Sequence, residues 1–330
     1  MKKLFAGFGV LIVIGVIAVL GVFIWWKENT KPVSADTAVS DFVVAKGTNA
    51  EKVGQQLYEK GFIKNPFAFK LYVQLFDKTQ KVQAGEFRLS PSYSLAQVID
   101  ALSKGPVELW VTIPEGLRRE EVVEKVITGL ELSDSKADIF RSDFLTQTKG
   151  LEGQLFPDTY LFGREATPSQ VIKAMQDNFN KKYGEVEKTK TTTLTKNEIV
   201  TLASIVQREA ITPEDMKGVA SVLMNRKNSG MNLGSDVTVE YALGYDKTEK
   251  TWWKKDLTAD ELTISSPYNT RKYIGLPPGP IANPGLVALQ AAGNPPKTDY
   301  LYFLSDHDGA LHYGKTLAEH TRNIQMYLNQ

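Results

Sequence analysis

The chain has 330 residues, 42% hydrophobic and 23% charged, proportions that exclude a disordered or collagen-like polypeptide and a length that suits about two domains. Basic residues number 39 and acidic residues 38, a net charge of +1 that excludes the broad basic surface of a nucleic-acid binder. Having no cysteine, the chain cannot use disulfides, thiolate nucleophiles, Cys-ligated zinc or iron–sulfur clusters.

Residues 4–26 are 23 consecutive positions without a charge, preceded by Lys2 and Lys3. At 1.5 Å per residue that is long enough to cross a hydrocarbon core of about 30 Å, so the stretch is read as a single transmembrane helix. Lys2 and Lys3 keep residues 1–3 cytoplasmic, and Trp25 and Trp26 mark the outer interface. A cleaved signal peptide is the alternative, with Val33-Ser34-Ala35 as a cleavage site, but the run exceeds the usual apolar region of roughly 7–15 residues. Both readings place the rest of the chain outside the cytoplasm.

Residues 27–40 are polar, contain Pro32 and read as a linker. A strand–turn–helix pattern then occurs three times. The first copy runs from residues 42–44 through Lys46-Gly47-Thr48 into a helix ending near Gly61. The second runs from residues 86–89 through Ser90-Pro91-Ser92 into a helix that opens on a Ser94/Gln97 capping box and stops at Gly105. The third runs from residues 109–113 through Pro114-Glu115-Gly116 into a helix over 120–127, and an extra helix is predicted over 66–76. The fold class is α+β, with a small α+β domain at 41–107 and a larger mixed α+β domain at 108–330.

In the larger domain, residues 153–160 are turn-rich, a helix is predicted over 169–183, and the Lys/Thr stretch 185–195 reads as an exposed loop. Thr195 with Glu198 is a capping box opening a helix through Ala210; Thr212 and Pro213 open another that ends near Gly230. Beyond residue 251 come a Pro/Gly-rich loop, a helix over 286–292, a strand over 300–304, and a last helix capped by Thr316 with Glu319.

One carboxylate stands out. At 100° per residue Ile199, Leu202, Ala203, Val206 and Ala210 form the core stripe of the helix after Thr195, with Glu209 at its edge and Arg208 on the opposite side. A Glu against apolar walls is desolvated, which raises its pKa and suits it to general acid catalysis on a glycosidic oxygen. The alternative is an ion pair with Arg226 that ties two helices together. His307, His312 and His320 lack the HExxH spacing of a zinc protease, so no metal site and no cofactor is predicted. There is no G-x-S-x-G, and the S-x-x-K match Ser133 to Lys136 lacks its companion motifs. Five prolines in residues 266–285 stiffen a loop that, with Trp252, Trp253, Tyr268 and Tyr273 in or beside it, either walls a ligand site or is itself pinned down by those aromatics.

Several strings resemble the endolytic murein transglycosylases, the YceG-like family. They are Glu152-Gly153-Gln154-Leu155-Phe156-Pro157-Asp158-Thr159-Tyr160, Ala203-Ser204-Ile205-Val206-Gln207-Arg208-Glu209, Val222-Leu223-Met224-Asn225-Arg226, Ser235-Asp236-Val237-Thr238-Val239-Glu240-Tyr241, the 266–285 loop, and Asp299-Tyr300-Leu301-Tyr302-Phe303. The resemblance implies a LysM-like small domain that grips glycan and a YceG-like catalytic domain. It also implies Glu209 as the catalytic acid, with Asp236, Thr238, Tyr268 and Asn269 as substrate-binding positions. The family usually has a glutamate where this chain has Gln207 and a tyrosine where it has Arg271. The implied reaction protonates the bridging oxygen after N-acetylmuramic acid and closes a 1,6-anhydro ring without water, so no second catalytic carboxylate is required. A water-using muramidase would need one, with Asp236 and Glu240 the nearest candidates. A non-catalytic, membrane-tethered glycan-binding scaffold is the reading from another class. The implied partners are peptidoglycan strands and cell-wall synthases (penicillin-binding proteins), at the inner (cell) membrane of a bacterium with the catalytic domain periplasmic or extracellular.

Overall fold

The computed structural model describes residues 2–45, 47–76 and 84–328, with side chains from residue 13 onward. Met1 of the predicted cytoplasmic N-terminus and Lys46 of the first predicted turn lie outside these. The chain divides into two compact units, Met1–Leu109 with Leu161–Ala166, and Trp110–Tyr160 with Thr167–Gln330.

In the first unit the helix α1 (Lys2–Asn29) contains the uncharged run. Among the described residues no helix is long and apolar enough to cross a membrane. Trp25 packs 5.9 Å from Phe67 and Trp26 stacks on Tyr72 at 6.0 Å. Strand β1 (Ser40–Val44) buries Phe42 and Val44 and exposes Asp41 and Val43, the period of two that one covered face imposes. Helices α2 (Ala50–Glu59) and α3 (Pro66–Leu75) follow, each capped by an asparagine. Strand β2 (Gly85–Leu89) then pairs antiparallel with β1, Phe42 opposite Phe87. Helix α4 (Leu95–Lys104) forms the predicted Ser94/Gln97 capping box and packs Val98, Ile99 and Leu102 into the same core.

The three predicted copies do not form one repeat. The first two strands pair with each other, while the third, β3 (Glu108–Thr112), pairs with β4 (Thr159–Gly163) in a separate two-stranded sheet. Strand pairing is a long-range choice that a local pattern does not contain.

The second unit is mostly helical. After α5 (Arg119–Gly129) the chain forms α6 (Asp134–Gln147), a helix the sequence pattern missed because its apolar residues Ala137, Phe140 and Phe144 are interspersed with charges. Helix α7 (Pro168–Thr189) runs past the predicted end at 183, since Val186 is fully buried and draws the polar turn into the helix. Helices α8 (Lys196–Glu209) and α9 (Pro213–Asn228) start at their predicted caps. Then come α10 (Asp236–Leu243), α11 (Ala259–Leu262) and α12 (Leu286–Gly293). Strand β5 (Tyr302–Ser305) pairs antiparallel with β6 (Leu311–Gly314), and α13 (Leu317–Tyr327) ends the unit. The core is built on α8, which packs against α9, α10 and α12.

Candidate active site

Helix α8 is buried at every residue from Ile199 to Val206. It is therefore a central helix covered on all faces rather than one with a single core stripe, and helical angle alone does not single out Glu209. The chain turns extended at Ala210, so Gln207, Arg208 and Glu209 form the last turn, where the helix leaves the core and its side chains are half-buried. Arg208 does not point to solvent as its helical angle suggests. Its guanidinium lies 3.9 Å over the Trp253 ring, its Nε is buried without a hydrogen-bond partner among the described residues, and burial lowers its pKa against the nearby Glu121, Glu240 and Glu209.

Glu209 opens into a cavity of about 350 Å³. Leu223, Leu233 and Phe303 give it apolar walls, and Arg226, Arg271, Asp236, Tyr302 and His320 give it polar ones. The carboxylate accepts a hydrogen bond from Ser235 Oγ. Burial raises its pKa; Ser235 opposes the rise, Asp236 adds to it, and Arg226 and Arg271 oppose it at longer range. The ion pair with Arg226 does not form: Arg226 donates from Nε to the Leu301 carbonyl and from Nη1 to the Leu233 carbonyl, both at 2.6 Å. Among the described residues no Lys, Arg or His makes an ion pair with Glu209, whereas Asp236 is paired with Arg271. Burial pushes Glu240 up to about 7, Arg208 opposing and the charges of Glu209 and Asp236 adding to the rise.

The structure brings two of the predicted site residues together, Glu209 and Asp236, and separates the others from the cavity. Thr238 and Asn269 are fully buried. Thr238 Oγ1 donates to the Ser235 carbonyl at 2.6 Å, and Asn269 Nδ2 donates to the carbonyls of Leu262 and Ile264 at 3.0 Å. Their polar atoms make these bonds inside the protein. Tyr268 packs 4.9 Å from Tyr241 and is not part of the cavity lining. The sequence reading missed Ser235, Tyr302 and His320, and gave Arg226 only the role of an ion-pair partner. Each belongs to a different element, and His320, stacked 5.2 Å from Tyr302, had no spacing signal to mark it.

The proline-rich loop is fastened to α8. Ser204 Oγ accepts from the Ile281 amide at 3.0 Å, and Gln207 Oε1 accepts from the Gly285 amide at 3.0 Å. Asn283, fully buried, accepts from the Leu155 amide at 2.8 Å and donates from Nδ2 to the Leu117 carbonyl at 3.0 Å and to Glu152 Oε1 at 2.9 Å. Gly153 sits there at φ +80, and a Cβ on it would lie 2.6 Å from Val200 and 2.7 Å from Pro280. Glu152 lines a second cavity, of about 230 Å³, with Gln154, Lys196 and Asn197. The loop is thus a wall held by buried amides, with Trp253 Nε1 donating to Glu121 at 2.9 Å.

Residues 42–326 match the YceG-like family. The chain belongs to that family. This YceG-like chain is 31% identical over 335 residues to a Bacillus subtilis protein named endolytic murein transglycosylase, covering 94% of the chain and 91% of the relative. A Streptococcus pneumoniae protein of the same name is 30% identical over 326 residues, covering 87% of the chain, which spans 58% of that longer relative. A crystal structure of a yceG-like protein from Listeria monocytogenes superposes with a TM-score of 0.55 at 30% identity, covering 86% of this chain and 98% of that one.

Proposed function

We propose that the chain is a membrane-tethered endolytic lytic transglycosylase with Glu209 as its single catalytic acid and base. The observation that carries this reading is a carboxyl group at a helix end, facing a cavity, with no ion-paired cation among the described residues and a raised pKa, in a chain whose relatives bear that enzyme's name. Neutral Glu209 protonates the oxygen bridging N-acetylmuramic acid to the next sugar, and that bond breaks. The resulting carboxylate takes the proton from the C6 hydroxyl of the same muramic acid, and its oxygen closes on C1 as the 1,6-anhydro ring. The proton returns to Glu209 and no water is consumed. Ser235, Arg226 and Arg271 favour the carboxylate while it carries the charge, which limits the cost of the first step. The ion pair with Arg271 ties up Asp236, one of the two candidates for a second catalytic carboxylate, and leaves Glu240 as the other.

The tether is proposed on the uncharged run 4–26 and on the exposed apolar side chains from Val13 to Ile24. Within the first unit, the run β1–α2–α3–β2, with its two strands antiparallel, is proposed as the basis of a LysM-like module over 41–107 that holds glycan. In this reading the substrate is the peptidoglycan strand outside the inner (cell) membrane, cut internally beside the synthases that extend it.

The test is mass spectrometry of glycan strands incubated with the chain and with Glu209→Gln. Fragments with anhydro ends, lighter than reducing ends by one water and absent with the variant, are the expected result. Reducing ends would transfer the reading to a water-using muramidase, and an uncut but bound strand to a scaffold.

A further inference from the structure

Among the described residues six at helix N-caps, Ser94, Thr167, Thr195, Thr212, Thr258 and Thr316, use their hydroxyls to accept from their own helix backbone, while Ser133 at the head of α6 does not. Ser235 stands at the N-cap of α10 with extended backbone and makes no such bond; its hydroxyl goes to Glu209 instead. The bond to Glu209 takes the place of a capping bond.

The backbone of Ser235 is fixed on both sides. Its amide donates to Thr270 Oγ1 at 3.1 Å, and its carbonyl accepts from Thr238 Oγ1 at 2.6 Å. The two threonine hydroxyls lie 2.9 Å apart, and Ser235, Thr238 and Thr270 are all buried. This explains why Thr238 is internal although it lies in a string that bears on the site: it holds the residue that holds Glu209.

We infer that Ser235 is a positioning residue that selects which oxygen of Glu209 carries the acid proton. The inference rests on the proposed role of Glu209. A neutral carboxyl has one carbonyl oxygen and one hydroxyl oxygen. Ser235 Oγ has Glu209 Oε1 as its side-chain partner among the described residues, with the serine hydrogen directed at that oxygen. Ser235 therefore donates, Oε1 is the accepting oxygen, and the proton resides on Oε2, the oxygen left to meet the glycosidic oxygen. The same bond keeps the side chain in one orientation after the proton leaves.

The charged and titratable groups around Glu209 are Arg208 on its own helix, Arg226 on α9, Asp236 and Glu240 on α10, Arg271 in the loop, Tyr302 on β5 and His320 on α13. Ser235, beside these groups, is uncharged and hydrogen-bonded to the carboxyl, so its removal changes that carboxyl without changing the net charge. The experiment measures rates of anhydro-end formation against pH for the full chain in detergent, with Ser235→Ala, Ser235→Thr and Glu209→Gln. Ser235→Ala is expected to lower kcat about tenfold with KM unchanged and to move the alkaline limb upward by about one pH unit, since it removes a hydrogen bond to the charged form. Ser235→Thr is expected to restore both.

An inactive Glu209→Gln beside a Ser235→Ala enzyme whose alkaline limb has not moved overturns this inference alone, whatever the rate. Activity in Glu209→Gln overturns the function reading and this inference with it. If Ser235→Ala does not fold, Thr238→Val replaces it: the hydroxyl of Ser235 remains but its carbonyl is released, and an upward shift of the same limb is expected. An unmoved limb there counts equally against the inference.

Discussion

Glu152 makes stability depend on pH in a window set by its burial. It is 9% exposed, and burial first, then the charge of Glu120, push its carboxyl up to about 8 from 4.5. Below pH 4.5 folded and unfolded chains both carry the proton. Between 4.5 and 8 only the folded chain does, so stability falls as pH rises and levels off above 8. The difference of 3.5 units, at about 1.4 kcal/mol each, is roughly 5 kcal/mol across the window. Oε1 accepts from Asn283 at 2.9 Å and from the Arg119 amide at 3.1 Å, while Oε2 takes only a 3.3 Å share of that amide. The proton therefore sits on Oε2, and Glu152→Gln reproduces the neutral acid with its amide nitrogen at that place. Urea unfolding of both proteins at pH 5 and pH 8, followed by near-ultraviolet circular dichroism, isolates this one group. The wild type is expected to lose several kcal/mol more than the variant on going to pH 8. Equal losses, within about 0.5 kcal/mol, would refute the reasoning that Glu152 stays protonated in the fold.

Asn283→Ala strands the buried Leu155 amide and leaves a small void, so a loss of about 2–4 kcal/mol is expected in the same unfolding assay. Gly153→Ala meets both a left-handed backbone and a Cβ contact of 2.6 Å, whereas Gly230→Ala meets the backbone penalty alone, φ +68 with open space. The first is expected to cost at least about 2 kcal/mol more than the second, read as a difference in midpoint at equal slope. Trp253→Phe removes the 2.9 Å bond to Glu121 and weakens the ring under Arg208, with an expected cost of about 1–2 kcal/mol in stability.

Local chemistry in the sequence determined much of the helical framework. The capping boxes at Ser94 and Thr195 and the Thr212-Pro213 pair start their helices where side chain and backbone, a few residues apart, satisfy each other. The end of α7 and the whole of α6 were illegible because burial of Val186 and Phe144 is granted by partners far along the chain. The pairing of β3 with β4 was hidden for the same reason.

At the site, the sequence determined that a glutamate would end a helix of apolar residues, since that depends on one segment. Only the tertiary structure decided what that glutamate faces. Ser235, Arg226, Arg271, Tyr302 and His320 reach one cavity from five separate places in the chain, and Arg226 spends its donors on carbonyls rather than on Glu209. A carboxyl group's proton affinity is set by everything within a few ångströms. Those neighbours are assembled by packing, so the place of the glutamate on its helix was readable from sequence and its surroundings were not.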